Sequence, residues 1–264
     1  MDESNASNQI AGDFLAVLKR QRVISEIPLV SATNADFTET VATTILGFKF
    51  AGGVLVAGDR RATAGNVVMY DRADKVLEID RNSVMAIAGS PATAWEMARI
   101  LEHSFKFYRR SQLQEMSVEG KVRALSKLLR DNLGMVIQGV GVVVPLFATY
   151  EKKSSDPAKL FFYDAMGAQF EAADFASSGS GAAAVRSVLY YEQSWGSKPL
   201  RERSKEAAIL LALKALDTAA EADTATGGID RHGKIFPIIK IVAGSGIETV
   251  ADEKLSELFQ AHVA

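Results

Sequence analysis

Short apolar runs and helical stripes follow one another in a definite order along this chain. Thr43 to Phe50 is a run rich in β-branched and aromatic residues and predicts a strand. Ala51-Gly52-Gly53 predicts a turn, and Val54 to Ala57 a second strand. Val84-Met85-Ala86-Ile87-Ala88 reads as a further buried strand that stops at Gly89. Ala92 to Tyr108 has helical composition, and Pro91 can start a helix without wasting a donor. Val118, Val122, Leu125 and Leu129 recur at the spacing of one helical face and predict a second helix. Val140 to Tyr150, Leu160 to Asp164 and Gln169 to Ala172 read as strands, with Pro145 marking an edge or a bulge in the first. A third helix is expected after Ser180-Gly181. A fourth carries Ile209, Leu213, Leu216 and Ala220, and Phe236 to Val242 is an apolar strand. Leu255, Leu258 and Phe259 mark a short C-terminal helix. Two helices directly after a run of strands indicate stacked layers, not strict βαβ alternation.

Composition narrows the function classes. The chain has 264 residues, 30 basic against 32 acidic, and a formal charge of −2. This balance gives no electrostatic reason to expect nucleic acid or an anionic membrane surface as partner. With no Cys there are no disulfides, which fits a reducing cytoplasm. The start, Met1-Asp2-Glu3-Ser4-Asn5, is acidic and polar, and no secretory apolar segment follows it. The longest apolar stretch, Gly134 to Tyr150, is interrupted by Gln138, glycines and Pro145. It falls short of the roughly 20 residues of a membrane helix and reads as a helix end followed by a buried strand.

Chemistry enters at Ala42-Thr43-Thr44-Ile45-Leu46-Gly47, behind a polar leader. The leader contains a weak helical stripe, Ile10, Phe14 and Leu18, and an irregular segment from Ser31 to Thr40. Cutting between Ala42 and Thr43 would leave one residue with both a nucleophilic hydroxyl and a free α-amine, an arrangement that needs no His, Cys or metal. The unperturbed pKa of an α-amine is about 7.7–8.0, close to where a general base works best. In an uncut chain that nitrogen is an amide and takes no proton. The plain reading of the leader is a disordered tail, accepted for its first several residues; the functional reading makes residues 1–42 a propeptide removed on maturation, with residues 43–264 a single domain. Taken alone, Thr-Thr-Ile reads more readily as an ordinary strand start.

Downstream of Thr43 the order of motifs is specific. Gly58-Asp59-Arg60-Arg61-Ala62-Thr63 follows the second strand, Lys75 lies about thirty residues from Thr43, and Ala88-Gly89 precedes a helix. Gly179-Ser180-Gly181 and Asp223-Thr224-Ala225-Thr226-Gly227-Gly228 complete the set. This succession resembles the β-subunits of the 20S proteasome, a family of N-terminal threonine hydrolases, from Thr43 to about Val250. The resemblance implies an α+β fold, a four-layer αββα sandwich of two packed, mainly antiparallel sheets. It implies a threonine-type endopeptidase with Thr43 as nucleophile, Lys75 as the charge beside it, Asp59 pairing with Lys75, and Gly89 as backbone oxyanion donor. Ser180 and Asp223 would hydrogen-bond the Thr43 amine, Thr226 would support Asp223, and Arg61 would shape the site. Ala62, Ala73 and Ile87 fall where primary pocket residues lie, and three apolar walls imply a chymotrypsin-like preference. Implied partners are a homo-heptameric β-ring, proteasome α-subunits, an ATP-driven ring unfoldase and unfolded protein substrates, with no cofactor and no metal. The chain carries no Walker-type Gly-Lys-Ser/Thr loop, so ATP use falls to a partner.

Each residue also has a plainer reading. The charged run Asp71-Arg72-Ala73-Asp74-Lys75 places Lys75 on a solvated surface. Asp59 suits a turn after Gly58, Gly89 an ordinary loop, and Ser180 a helix N-cap. Ala42 departs from the Gly that self-maturing relatives carry before the threonine, and its Cβ crowds the carbonyl to be attacked. A catalytically silent ring subunit is therefore the alternative function. The simpler bacterial two-ring relative fits less well, since it has Gly-Asp-Gly-Gln where this chain has Gly58-Asp59-Arg60-Arg61. The leader and the Asp-x-x-Thr-Gly-Gly loop favour a bacterial member. Asp230-Arg231-His232 is read as a surface turn, because one His and one Asp do not make a coordination set.

Overall fold

The computed structural model describes residues 43–64, 67–230 and 235–263. The leader stripe, the Ala42 side of the processing site and the Arg231-His232 part of the expected turn lie outside these residues. Ten of the strands build two five-stranded antiparallel sheets. One has the order β10-β1-β2-β11-β12, from β1 (Thr44–Phe50), β2 (Gly53–Gly58), β10 (Phe175–Gly179), β11 (Ile238–Ala243) and β12 (Gly246–Thr249). The other runs β5-β6-β7-β8-β9, from β5 (Val76–Asp80), β6 (Ser83–Ala86), β7 (Leu146–Tyr150), β8 (Ala158–Tyr163) and β9 (Gln169–Glu171). A separate two-stranded ribbon joins β3 (Ala62–Ala64) to β4 (Val67–Tyr70).

β1 and β2 are buried at every position because both of their faces are covered. In β1, Leu46, Phe48 and Phe50 pack under α4 (Ala182–Trp195), α5 (Lys205–Ala222) and α6 (Asp252–Val263), together with Val185, Leu213 and Leu255. Ile45 turns the other way and meets Val54, Val56, Val84, Leu146 and Leu160 between the sheets. Beyond the second sheet, Met85, Phe147 and Tyr163 pack on Leu101, Phe105, Val122 and Leu125 of α1 (Pro91–Gln112) and α2 (Val118–Asp131). The result is the αββα order helices, sheet, sheet, helices. The sheets approach closely at Gly47, where an added Cβ would lie 2.9 Å from the Leu160 side chain.

Local signals set the helix starts. Ser117 and Ser204 accept from the backbone N–H of Gly120 and Ala207, capping α2 and α5, and Pro91 opens α1. A short α3 (Leu133–Ile137) and a 3-10 turn (Leu200–Glu202) complete the described elements.

Two expectations are corrected. Pro145 marks neither an edge nor a bulge: it precedes β7, a strand with β6 and β8 on either side. The stretch before it is irregular, and Val143 pairs with Gly89 in an isolated bridge. The N-cap of α4 is Gly181, with no side-chain cap bond, so Ser180 is not the cap. Among the described residues, no helix is long and apolar enough to cross a membrane.

Candidate active site

Thr43 lies one residue before β1 and is 4 % exposed. Antiparallel pairing of β1 with β10 sets Thr44 opposite Gly179, so Ser180 comes alongside Thr43, and the Ser180 N–H donates to the Thr43 carbonyl at 2.9 Å. On the other side, β1 pairs with β2, whose end carries Asp59. The Asp59 N–H donates to the Thr44 carbonyl at 3.0 Å, and the Thr44 N–H donates to Asp59 Oδ1 at 2.8 Å.

The Asp59 carboxylate is wholly buried and accepts four hydrogen bonds. Oδ1 takes Thr44 N and Lys75 Nζ, the latter at 2.7 Å, and Oδ2 takes the N–H groups of Arg61 at 3.0 Å and Gly227 at 2.9 Å. A carboxylate with its lone pairs filled by donors can stay charged out of water. Lys75, expected on the surface from its charged run, is 4 % exposed: the hydrogen bond from Ile87 N–H to its carbonyl fixes the head of β5, and its ammonium also donates to the Arg61 carbonyl. Burial lowers the Lys75 pKa below the ordinary lysine value, and the adjacent Asp59 carboxylate only partly offsets this.

A second cluster forms from the loop after α5. Asp223 Oδ2 accepts from Ser180 Oγ and from Thr226 Oγ1, each at 2.6 Å, and Oδ1 accepts the Ala225 N–H at 3.1 Å. Burial pushes the Asp223 carboxyl up, but these donors and the Arg61 charge outweigh it and leave its pKa below the usual range. Arg61 spans both clusters: its backbone meets Asp59 and Lys75, and its guanidinium donates to the carbonyls of Thr224 at 2.9 Å and Thr226 at 3.1 Å.

Gly89 takes a φ of +103°, and a Cβ there would fall 2.0 Å from the Val142 carbonyl oxygen, so only Gly fits. Around the Gly89–Val143 bridge the hydrogen bonds run from Ser90 N to Val142 O and from Val144 N to Ala88 O. That makes it a non-hydrogen-bonded pair, whose own N–H points away from the opposing strand. Among the described residues, no three His, Asp or Glu side chains converge as a metal site needs.

This arrangement of a strand-leading threonine, a buried Asp–Lys pair and a Ser–Asp–Thr cluster can be set beside known proteins. The profile of the family described as "Proteasome subunit" matches residues 40–234, well over half of the chain. The chain belongs to the proteasome subunit family. It is 40 % identical over 215 residues to a "Proteasome subunit beta" of Streptosporangium roseum, covering 81 % of this chain and 73 % of that one. A "Proteasome subunit beta" of Acidimicrobium ferrooxidans is 37 % identical over 246 residues, covering 93 % and 87 %, and one of Streptomyces griseus is 36 % identical over 232 residues.

In this proteasome subunit the fold thus brings Thr43, Asp59, Arg61, Lys75, Ser180, Asp223 and Thr226 together. The three pocket candidates border the same region: Ala62 opens β3 opposite Tyr70, the Ala73 N–H donates to the Arg60 carbonyl, and Ile87 is bonded to Lys75 as above. Ala73 and Ile87 are buried and Ala62 is half-buried. Sequence reasoning passed over Thr44. It is fully buried and bonded to both clusters, yet in sequence it is one more β-branched residue at a strand start.

Proposed function

We propose that the chain is a peptidase subunit of a proteasome core that cuts peptide bonds of unfolded proteins through Thr43 Oγ1, once residues 1–42 have been removed. The freed α-amine takes the hydroxyl proton as the oxygen adds to the peptide carbonyl. The tetrahedral oxyanion is held by the Gly89 N–H, a fixed donor that reorganises little. Collapse of the intermediate breaks the C–N bond, the departing amine takes the proton back, and an acyl ester remains on Thr43. Water, giving its proton to the Thr43 α-amine, then hydrolyses the ester, and that proton passes to Thr43 Oγ1 to restore the hydroxyl.

In this reading the Lys75 ammonium favours the neutral amine and Asp59 holds Lys75 in place. Ser180 and Asp223 orient the amine, and Ala62, Ala73 and Ile87 accept an apolar side chain on the acyl side of the cut. Leader removal uses the same hydroxyl against the Ala42 carbonyl. The chain works in the cytoplasm as one member of a homo-heptameric β-ring stacked on α-subunits and fed by an ATP-driven unfoldase.

The observation that carries this reading is the Asp59 carboxylate, bonded at one oxygen to both Lys75 and the residue next to Thr43. The test is intact mass and N-terminal sequence of the chain after assembly with α-subunits, beside Thr43→Ala. A mature chain beginning at Thr43, and a Thr43→Ala chain that keeps its leader and cuts no peptide, are expected. Assembled particles that retain the leader in the unsubstituted chain would favour the silent ring subunit that Ala42 keeps in view.

A further inference from the structure

Thr44 holds the two clusters together. Its backbone N–H and carbonyl are both bonded to Asp59, as described above, while its side chain faces the loop after α5. Thr44 Oγ1 lies 2.5 Å from Thr226 Oγ1 and accepts the Gly181 N–H at 2.9 Å. Distance alone leaves the direction of the Thr44–Thr226 bond open, but the proton count closes it. Each hydroxyl has one hydrogen. The hydrogen of Thr226 is taken by Asp223 Oδ2, so Thr226 Oγ1 can only accept from Thr44. A one-way chain results, Gly181 N–H to Thr44 O–H to Thr226 O–H to the Asp223 carboxylate, with every hydrogen assigned. Thr44, Thr226 and the Gly181 amide are all buried, so water cannot replace a missing link. The chain ends on the oxygen that also accepts from Ser180, whose backbone grips the Thr43 carbonyl.

We infer that Thr44 is a positioning residue for the reaction at Thr43: its hydroxyl locks the Asp223–Ser180 cluster in register with the Asp59–Lys75 cluster through a directed hydrogen-bond chain. The inference rests on the peptidase reading above. Valine has the shape of threonine but cannot donate or accept, so in Thr44→Val the Gly181 N–H and Thr226 Oγ1 lose their partner while the packing volume is kept. Thr226 keeps its bond to Asp223, but nothing then ties that pair to the strand beside Thr43, and Asp223 and Ser180 lose their fixed place. Space around the chain is tight: a Cβ on Gly181 would lie 2.5 Å from Thr44 Oγ1 and 2.7 Å from Thr226 Oγ1.

The test compares Thr44→Val and Thr44→Ser in the full chain, assembled and processed, on a short fluorogenic peptide amide with an apolar residue before the cut. Thr44→Val is expected to lower kcat about 10- to 100-fold with KM changed less than about twofold, as misplacement of reacting groups does. Thr44→Ser, which keeps the hydroxyl and loses a methyl, is expected to recover most of kcat. If Thr44→Val also stalls maturation, the rate of leader loss by intact mass replaces kcat, and the same ordering is expected. Equal kcat in Thr44→Val and the unsubstituted chain would overturn the inference, as would a Thr44→Ser chain no better than Thr44→Val. A Thr43→Ala chain that still cuts peptide would overturn the peptidase reading itself, whatever Thr44→Val does.

Discussion

At Gly179 the backbone adopts a φ of +97°, and a Cβ built there would lie 1.8 Å from the Thr43 carbonyl oxygen. That oxygen is the acceptor for the Ser180 N–H, so Gly179→Ala must push the threonine and its strand partner apart. We expect Gly179→Ala to abolish peptide cleavage, measured as initial rate on a short peptide substrate. Gly139 is the control: its φ is +79°, but nothing lies within 4 Å of an added Cβ. Gly139→Ala should lower stability by about 1 kcal/mol from backbone strain alone and keep its rate. An active Gly179→Ala chain would contradict the close approach. The contrast also bounds what residues reveal in sequence. Gly179 lies between two serines and Gly139 between Gln138 and Val140, and only tertiary pairing makes one of them critical. Lys75 is a similar case. Its neighbours Asp71, Arg72 and Asp74 read as a wet surface, and what buries it is a carboxylate 16 positions earlier, brought over by β2. Asp59, Asp223 and Thr43 were legible as a set because their motifs occur in order, but three of the four donors to Asp59 are backbone N–H groups, which no sequence displays.

Among the elements, the long strands and helices follow from the apolar pattern, and the unpredicted ones have identifiable reasons. In β5 the buried positions Val76 and Ile79 are three apart, because the register with β6 shifts between Glu78 and Asp80 and breaks the period of two. Phe175-Ala176-Ser177-Ser178-Gly179 of β10 has the composition of a loop. It pairs with β1 while Ser177 and Ser178 donate their hydroxyls to the carbonyls of Ala182 and Val144. Lys240 adds a link between the sheets that the strand pattern hides. On β11 its neighbours Ile239 and Ile241 face the helices, while Lys240 faces the other sheet and meets Glu78 Oε1 at 3.1 Å and Asp74 Oδ2 at 3.7 Å. Asp74 in turn accepts the Val76 N–H, so Lys240 braces the turn that contains Lys75. Both carboxylates are about half exposed and can rehydrate when the cation is removed. We therefore expect Lys240→Met to lower stability by no more than about 1 kcal/mol, and to speed hydrogen exchange at the Val76 amide. Unchanged exchange there would mean that the brace is inert.

Across the whole molecule, β1 connects two polar centres of different kind. Thr44 begins it, and Lys49, roughly 17 Å further on at strand rise, is 2 % exposed and ion-paired to Asp156 at 3.1 Å. Asp156 also accepts from Arg201, which reaches Asp174 at 2.8 Å and so ties the loop after β7 to the segment between α4 and α5. The hydrogen bond from Arg201, followed by that from Lys49, lowers the Asp156 pKa to about 2, against about 3.9 for an unfolded aspartate. A carboxylate depressed in this way stabilises the fold at every pH above its unfolded value, and the contribution is lost as pH falls from about 4 through about 2. Asp156→Asn has no such proton to gain. Its melting temperature should lie below that of the unsubstituted chain at pH 7, and the gap should close as the pH approaches 2. Because Asp156 is remote from Thr43, particles of this variant are expected to keep kcat at pH 7. A gap that stays constant from pH 7 to pH 2 would show that Asp156 acts through packing and not through its charge, and a gap that widens in acid would contradict a lowered Asp156 pKa.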